Sequence, residues 1–96
     1  MLGGPNRAPR VDFRADPASG TAPLTVTFTN HSSDLDGDAL ASRWEFGDGG
    51  RSFEPNPTHV YTRPGTFTAV LVVSDAAGLS SEPKRENVAV RAGPPL

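Results

Sequence analysis

Apolar and polar residues alternate in Val11-Asp12-Phe13-Arg14-Ala15, a period of two that places Val11, Phe13 and Ala15 on one face of a first strand. The breakers of Asp16 to Pro23 follow, and then Leu24-Thr25-Val26-Thr27-Phe28-Thr29 alternates again, with β-branched threonines on the wet face. Arg43-Trp44-Glu45-Phe46 repeats the pattern, aims Trp44 and Phe46 inward, and stops at the turn signal Gly47-Asp48-Gly49-Gly50. A looser stretch, Arg51 to Pro57, leads to a short strand at Thr58-His59-Val60-Tyr61, and Arg63-Pro64-Gly65 reads as a tight turn. The longest strand is expected over Thr66 to Asp75. Phe67, Ala69, Leu71 and Val73 share one face there, and Val70 and Val72 lie on the other, which predicts a central position. Asn87-Val88-Ala89-Val90-Arg91 alternates once more before a Gly-Pro-Pro tail.

No helical period survives over ten residues. About seven short strands, separated by turns, predict an all-β fold: a two-sheet antiparallel sandwich with a core of Val11, Phe13, Val26, Phe28, Trp44, Phe46, Leu71 and Val73. A chain of 96 residues holds one such core, so the expected organisation is a linker over 1–8, one domain over 9–92 and a tail over 93–96. Ten glycines and ten prolines suit a protein of many turns. Eleven acids against nine bases give a net charge of −2, which supplies no basic field for nucleic acid or an anionic membrane. The absence of cysteine removes disulfides, thiol catalysis and thiolate zinc sites together. Met1 to Arg7 shows neither a long apolar run nor a cleavage pattern, so no signal peptide or membrane span is expected, as in an excerpt from a longer exported chain.

Four ordered segments carry a family resemblance. Trp44-Glu45-Phe46-Gly47-Asp48-Gly49, Asn56-Pro57-Thr58-His59-Val60-Tyr61, Pro64-Gly65-Thr66-Phe67-Thr68 and Val73-Ser74-Asp75-Ala76-Ala77-Gly78, together with Gly20 to Val26, closely resemble the PKD (polycystic kidney disease) domain family. The departures are mild: Glu45 stands where that family more often has Asp, and Phe67 where it often has Tyr. The resemblance implies a seven-stranded antiparallel immunoglobulin-like β-sandwich without the disulfide. It also implies a non-catalytic extracellular or cell-surface module, a spacer or adhesion domain of a larger protein, whose partners are proteins or neighbouring domains and which is monomeric in isolation.

The residues themselves offer little chemistry. A catalytic role for Asp48 would need a second acid placed opposite it, so its loop reads as a turn whose carboxylate accepts backbone N–H groups, and His59 on its short strand reads as a structural hydrogen-bonder. Ser, His and Asp occur without a nucleophile elbow, so no enzymatic reading has a motif behind it. Carbohydrate binding needs an exposed aromatic platform, for which only Phe53 remains free of the sandwich, and a complete virion-surface or assembly-decorating protein is a third reading. Calcium is the one cofactor the pattern suggests. Ser33 to Asp38 carries three carboxylates at alternate positions, but Gly37 and Ala39 are wrong for an EF-hand loop and Glu45 lies on a strand. In a sandwich, the Asn30 to Ser42 loop, the incoming Asn6 segment and Asp75 converge at one pole. There Asn6, Asp34, Asp36 and Asp75 are the expected ligands, and Asp38 is a turn residue. Similar positions bind calcium in PKD-like domains of some bacterial collagenases, which the Asn-x-x-Pro segment at Asn6 to Pro9 resembles. The competing expectation is a solvated acidic loop whose carboxylates cap local N–H groups.

Overall fold

A computed structural model describes residues 8–34 and 40–93. Eight strands run through them: β1 Phe13–Asp16, β2 Ser19–Thr21, β3 Leu24–Asn30, β4 Ala41–Glu45, β5 Arg51–Ser52, β6 Thr58–Tyr61, β7 Gly65–Ser74 and β8 Lys84–Arg91. They form two sheets, one in the order β1-β3-β6 and the other in the order β2-β8-β7-β4-β5, which face each other as a sandwich. β7 is the middle strand of the larger sheet, as its two apolar faces predict.

The strands that alternate cleanly are those whose inner residues meet the opposite sheet. Val26 and Phe28 on β3, Trp44 on β4, Leu71 and Val73 on β7, and Phe13 and Phe46 are all buried, with Leu24, Tyr61, Ala69, Val88 and Val90 completing the core. Val11 lies ahead of β1 rather than on it and is only partly buried against that core. Trp44, Phe28 and Tyr61 are the most buried aromatics, all three fully inaccessible.

Three features depart from the expected pattern. The segment read as breakers contains β2, which pairs in parallel with β8 through Ser19↔Ala89, Gly20↔Val90 and Thr21↔Arg91, so the sandwich is antiparallel except here. β2 is the point at which the chain leaves the small sheet for the large one, and backbone bonds rather than an apolar face hold it. Gly20 packs under Leu24: a Cβ there would stand 2.5 Å from Leu24 Cδ1, and the end of that side chain would have to turn aside to admit it. β8 begins at Lys84 rather than Asn87, since its charged first half continues the ladder against Leu71, Val70 and Ala69 of β7. Arg51–Ser52 forms a two-residue edge strand on β4, which raises the strand number to eight.

Candidate functional site

The pole at which β3 ends and β4 begins gathers several segments. Phe13 pairs with Asn30, Arg10 bridges to Ser33, and Ala41 pairs with Ser74, so the incoming chain, the segment leading to Asp34, the start of β4 and the end of β7 all meet here. Asn30 Nδ2 donates to Ser42 Oγ at 3.0 Å and to the Pro55 carbonyl at 3.0 Å, while the Asn30 N–H donates to Asn56 Oδ1 at 2.8 Å, which ties the two sheets together at this end. Asp34 and Asp75 therefore belong to one pole, as the topology predicts. Asn6, Asp36 and Asp38 lie outside the described residues.

Asp75 closes the turn after β7. Its Oδ1 accepts the N–H groups of Ala77 and Leu79 at 3.0 and 2.9 Å, and its carbonyl accepts the N–H of Gly78, which takes a φ of 88°. The residue is 7% exposed, and its second oxygen, Oδ2, is buried without a hydrogen-bond partner. A buried carboxylate oxygen with nothing donated to it is costly. Among the described residues no group of three or more His, Asp or Glu side chains is arranged to hold a metal.

A second polar cluster lies at the open side of the sandwich, where the β4–β5 turn meets β6. His59 Nε2 stands 2.7 Å from Asp48 Oδ2, and the Gly50 N–H donates to Asp48 Oδ1 at 3.0 Å. The His59 ring stacks on Phe46 at 4.2 Å and meets Tyr61 edge-on at 4.7 Å. Tyr61 Oη donates to the Phe46 carbonyl at 2.9 Å. Burial, aided by the Asp48 charge, pushes the Tyr61 hydroxyl far up, which keeps it a donor. Asp48 and His59 were legible singly as a turn carboxylate and a structural imidazole. Their pairing, eleven residues apart and across the two sheets, was not.

Burial raises the Asp48 carboxyl, but the hydrogen bonds from His59 and Gly50 and the His59 charge outweigh it, and the group lies below its ordinary 3.8. The folded protein thus binds this proton less tightly than the unfolded chain. The stability gained is complete above the ordinary carboxylate range and is lost as pH falls through the folded value. Urea unfolding between pH 6 and pH 3 should show the parent losing stability on acidification and Asp48→Asn losing less. Parallel curves would rule out this linkage.

The remaining exposed apolar residues are scattered. Phe53, after β5, is 74% exposed, while Val60 on β6 and Leu79 in the Asp75 turn are exposed to a lesser degree. The other Phe, Tyr and Trp rings are buried or half-buried, so Phe53 is the one exposed ring of these types and forms no platform.

Known proteins agree with this architecture. The PKD domain profile matches residues 6–90. The protein named Collagenase ColQ1 from Bacillus cereus (strain Q1) is 39% identical over 80 residues, covering 82% of this chain and 8% of that protein. The crystal structure of the PKD1 domain of Vibrio anguillarum Epp superposes with a TM-score of 0.78 at 32% identity, over 93% of this chain and all of that one. A structure described as the basis for promiscuous specificity of carbohydrate-binding modules from the β-sandwich superfamily superposes with a TM-score of 0.81 at 34% identity, covering 92% of this chain and 36% of that one. The chain thus spans less than a tenth of the curated relative's length, and its backbone superposes on those solved domains over more than nine-tenths of its residues. It belongs to the PKD domain family.

Proposed function

We propose that the chain is a non-catalytic spacer and interaction module of a larger secreted or cell-surface protein. The observation that carries this reading is the position of its ends. Arg10 approaches beside Ser33 at the pole where β7 finishes, whereas Val90 of β8 pairs with Gly65, where β7 starts. Incoming and outgoing chain therefore lie at opposite poles, separated by a strand of ten residues, about 33 Å by strand geometry. Neighbours joined through such a domain are held apart rather than side by side. The small share of the collagenase that the chain matches supports a role as one part of a larger protein.

The absence of cysteine makes the test direct. Spin labels at Ala8→Cys and Gly93→Cys, with a folded reporter fused at each end, should give a narrow distance distribution at roughly 30–45 Å, against a broad one near 50 Å for a Gly/Ser chain of equal length. A broad distribution, or labels within about 20 Å of each other, would defeat the spacer reading.

We further propose that calcium stiffens the incoming joint, held by Asn6, Asp34, Asp36 and Asp75. The partnerless Oδ2 of Asp75 supports this, because a cation would give it what the protein does not. Calcium would supply electrostatic cross-linking there, with an affinity on the order of 10⁻⁴ to 10⁻³ M, typical of extracellular modules. At ten times that concentration the melting temperature should rise by roughly 5–10 °C, and Asp75→Ala should abolish the rise. Identical melting in calcium and in chelator would remove the site. Carbohydrate binding is less well supported, since Phe53 is a single ring and a sugar face stacks best on several.

A further inference from the structure

The two outer faces of the sandwich differ in charge. Cross-strand partners share a face, so the register assigns each outward residue. On the small sheet, Arg14↔Thr29, Asp16↔Thr27, Thr25↔Val60 and Thr27↔Thr58 make a threonine surface with one acid and one base. On the large sheet, Trp44↔Leu71 points inward, which sends Arg43↔Val72, Glu45↔Val70, Glu45↔Arg51 and Val70↔Arg85 outward. Arg85, Val70, Glu45 and Arg51 form one row across four strands, about 14 Å from end to end, and Val72 and Arg43 form the next. Glu45 is the only carboxylate in this array. Arg43, Arg51 and Arg85 are exposed, and none of them is in a salt bridge; the ion pairs among the described residues are Asp48–His59 and Lys84–Glu86. Phe53, the most exposed large apolar residue, follows Ser52 at the edge of the same sheet.

We propose that this face is a docking surface for an acidic patch on another protein. A chain of net charge −2 that gathers three unpaired guanidiniums around Val70 and Val72 presents charge complementary to carboxylates. Guanidinium forks grip carboxylates in a bidentate way, and the half-buried valines between them supply apolar contact. Arginine, aromatic and aliphatic side chains without lysine are the composition of a protein interface. A nucleic acid or sulfated glycan would instead be met by a broad basic field, which the net charge denies. The proposal deepens the interaction half of the functional reading and is independent of the spacer half, which the label distances test separately.

Selecting a random-peptide display library on the immobilised domain tests it. Recovered peptides should be enriched in Asp and Glu and should weaken with salt. They should shift the backbone amide resonances of Val70 and Val72, and lose tenfold or more in affinity on Arg43→Glu with Arg85→Glu. Arg14→Glu, on the opposite face, should leave binding unchanged. Arg43→Ala with Arg85→Ala serves if the reversed charges impair folding. Peptides without acid enrichment, resonance shifts confined to other faces, no peptide recovered, or heparin displacing the peptides with equal affinity would each overturn the proposal.

Discussion

Trp44→Ala should lower the unfolding free energy by about 3–5 kcal/mol. The indole is fully buried and lies edge-on to Phe13 at 4.8 Å, tilted against Phe28 at 5.3 Å and stacked on Phe46 at 6.4 Å, so its removal opens a cavity that three rings cannot all collapse into. Its Nε1 also donates to the Glu54 carbonyl at 2.9 Å, which fastens the segment after β5 to the core. A small domain commands about 5–15 kcal/mol in all, so the loss is a large fraction of the total. Trp44→Phe keeps most of the packing and forfeits the hydrogen bond, and should cost less, about 1–3 kcal/mol. Because Trp44 is the chain's single tryptophan, unfolding must be followed by circular dichroism rather than fluorescence. A Trp44→Ala protein that melts within a few degrees of the parent would contradict this account of the core.

Gly47→Ala should be nearly as damaging, for a backbone reason. Gly47 has a φ of 91°, a region that L-residues enter at a cost of about 1–2 kcal/mol, and an added Cβ would stand 2.7 Å from the Thr68 carbonyl oxygen and 2.8 Å from its nitrogen. Those atoms belong to the central strand β7 and cannot swing aside as a side chain would. Gly49, with a φ of 99° and nothing within 4 Å of the added carbon, is the control: it carries the conformational cost alone. We expect about 3 kcal/mol or more for Gly47→Ala and about 1–2 kcal/mol for Gly49→Ala, read from urea unfolding. Equal losses would show that the approach to Thr68 does not matter.

What the sequence revealed of the fold followed from burial on one side. β3 was legible within a residue because Leu24, Val26 and Phe28 meet the core while Thr25, Thr27 and Thr29 face water. β2 was hidden because Ser19, Gly20 and Thr21 bury no alternating face, and their order comes from backbone pairing with a strand seventy residues away. The first half of β8 was hidden for a related reason: Lys84 and Glu86 occupy inward-facing register positions but are only half-buried and pair with each other, so no apolar signal marks the strand. The acidic pole was legible as a convergence of segments, which follows from strand direction. The burial of Asp75 was not, since it depends on how the 75–79 turn folds back over its own carboxylate.

The polar arrangement of the ends also decides how the molecule meets force. Tension transmitted through the chain acts along the strands, with Arg10 and β1 drawn towards one pole and β8 towards the other. The ladders β1–β3 and β7–β8 lie across that direction, so their hydrogen bonds are loaded together in shear instead of being opened one after another from an end. With no disulfide to set a limit, resistance to stretching is a property of the whole ladder.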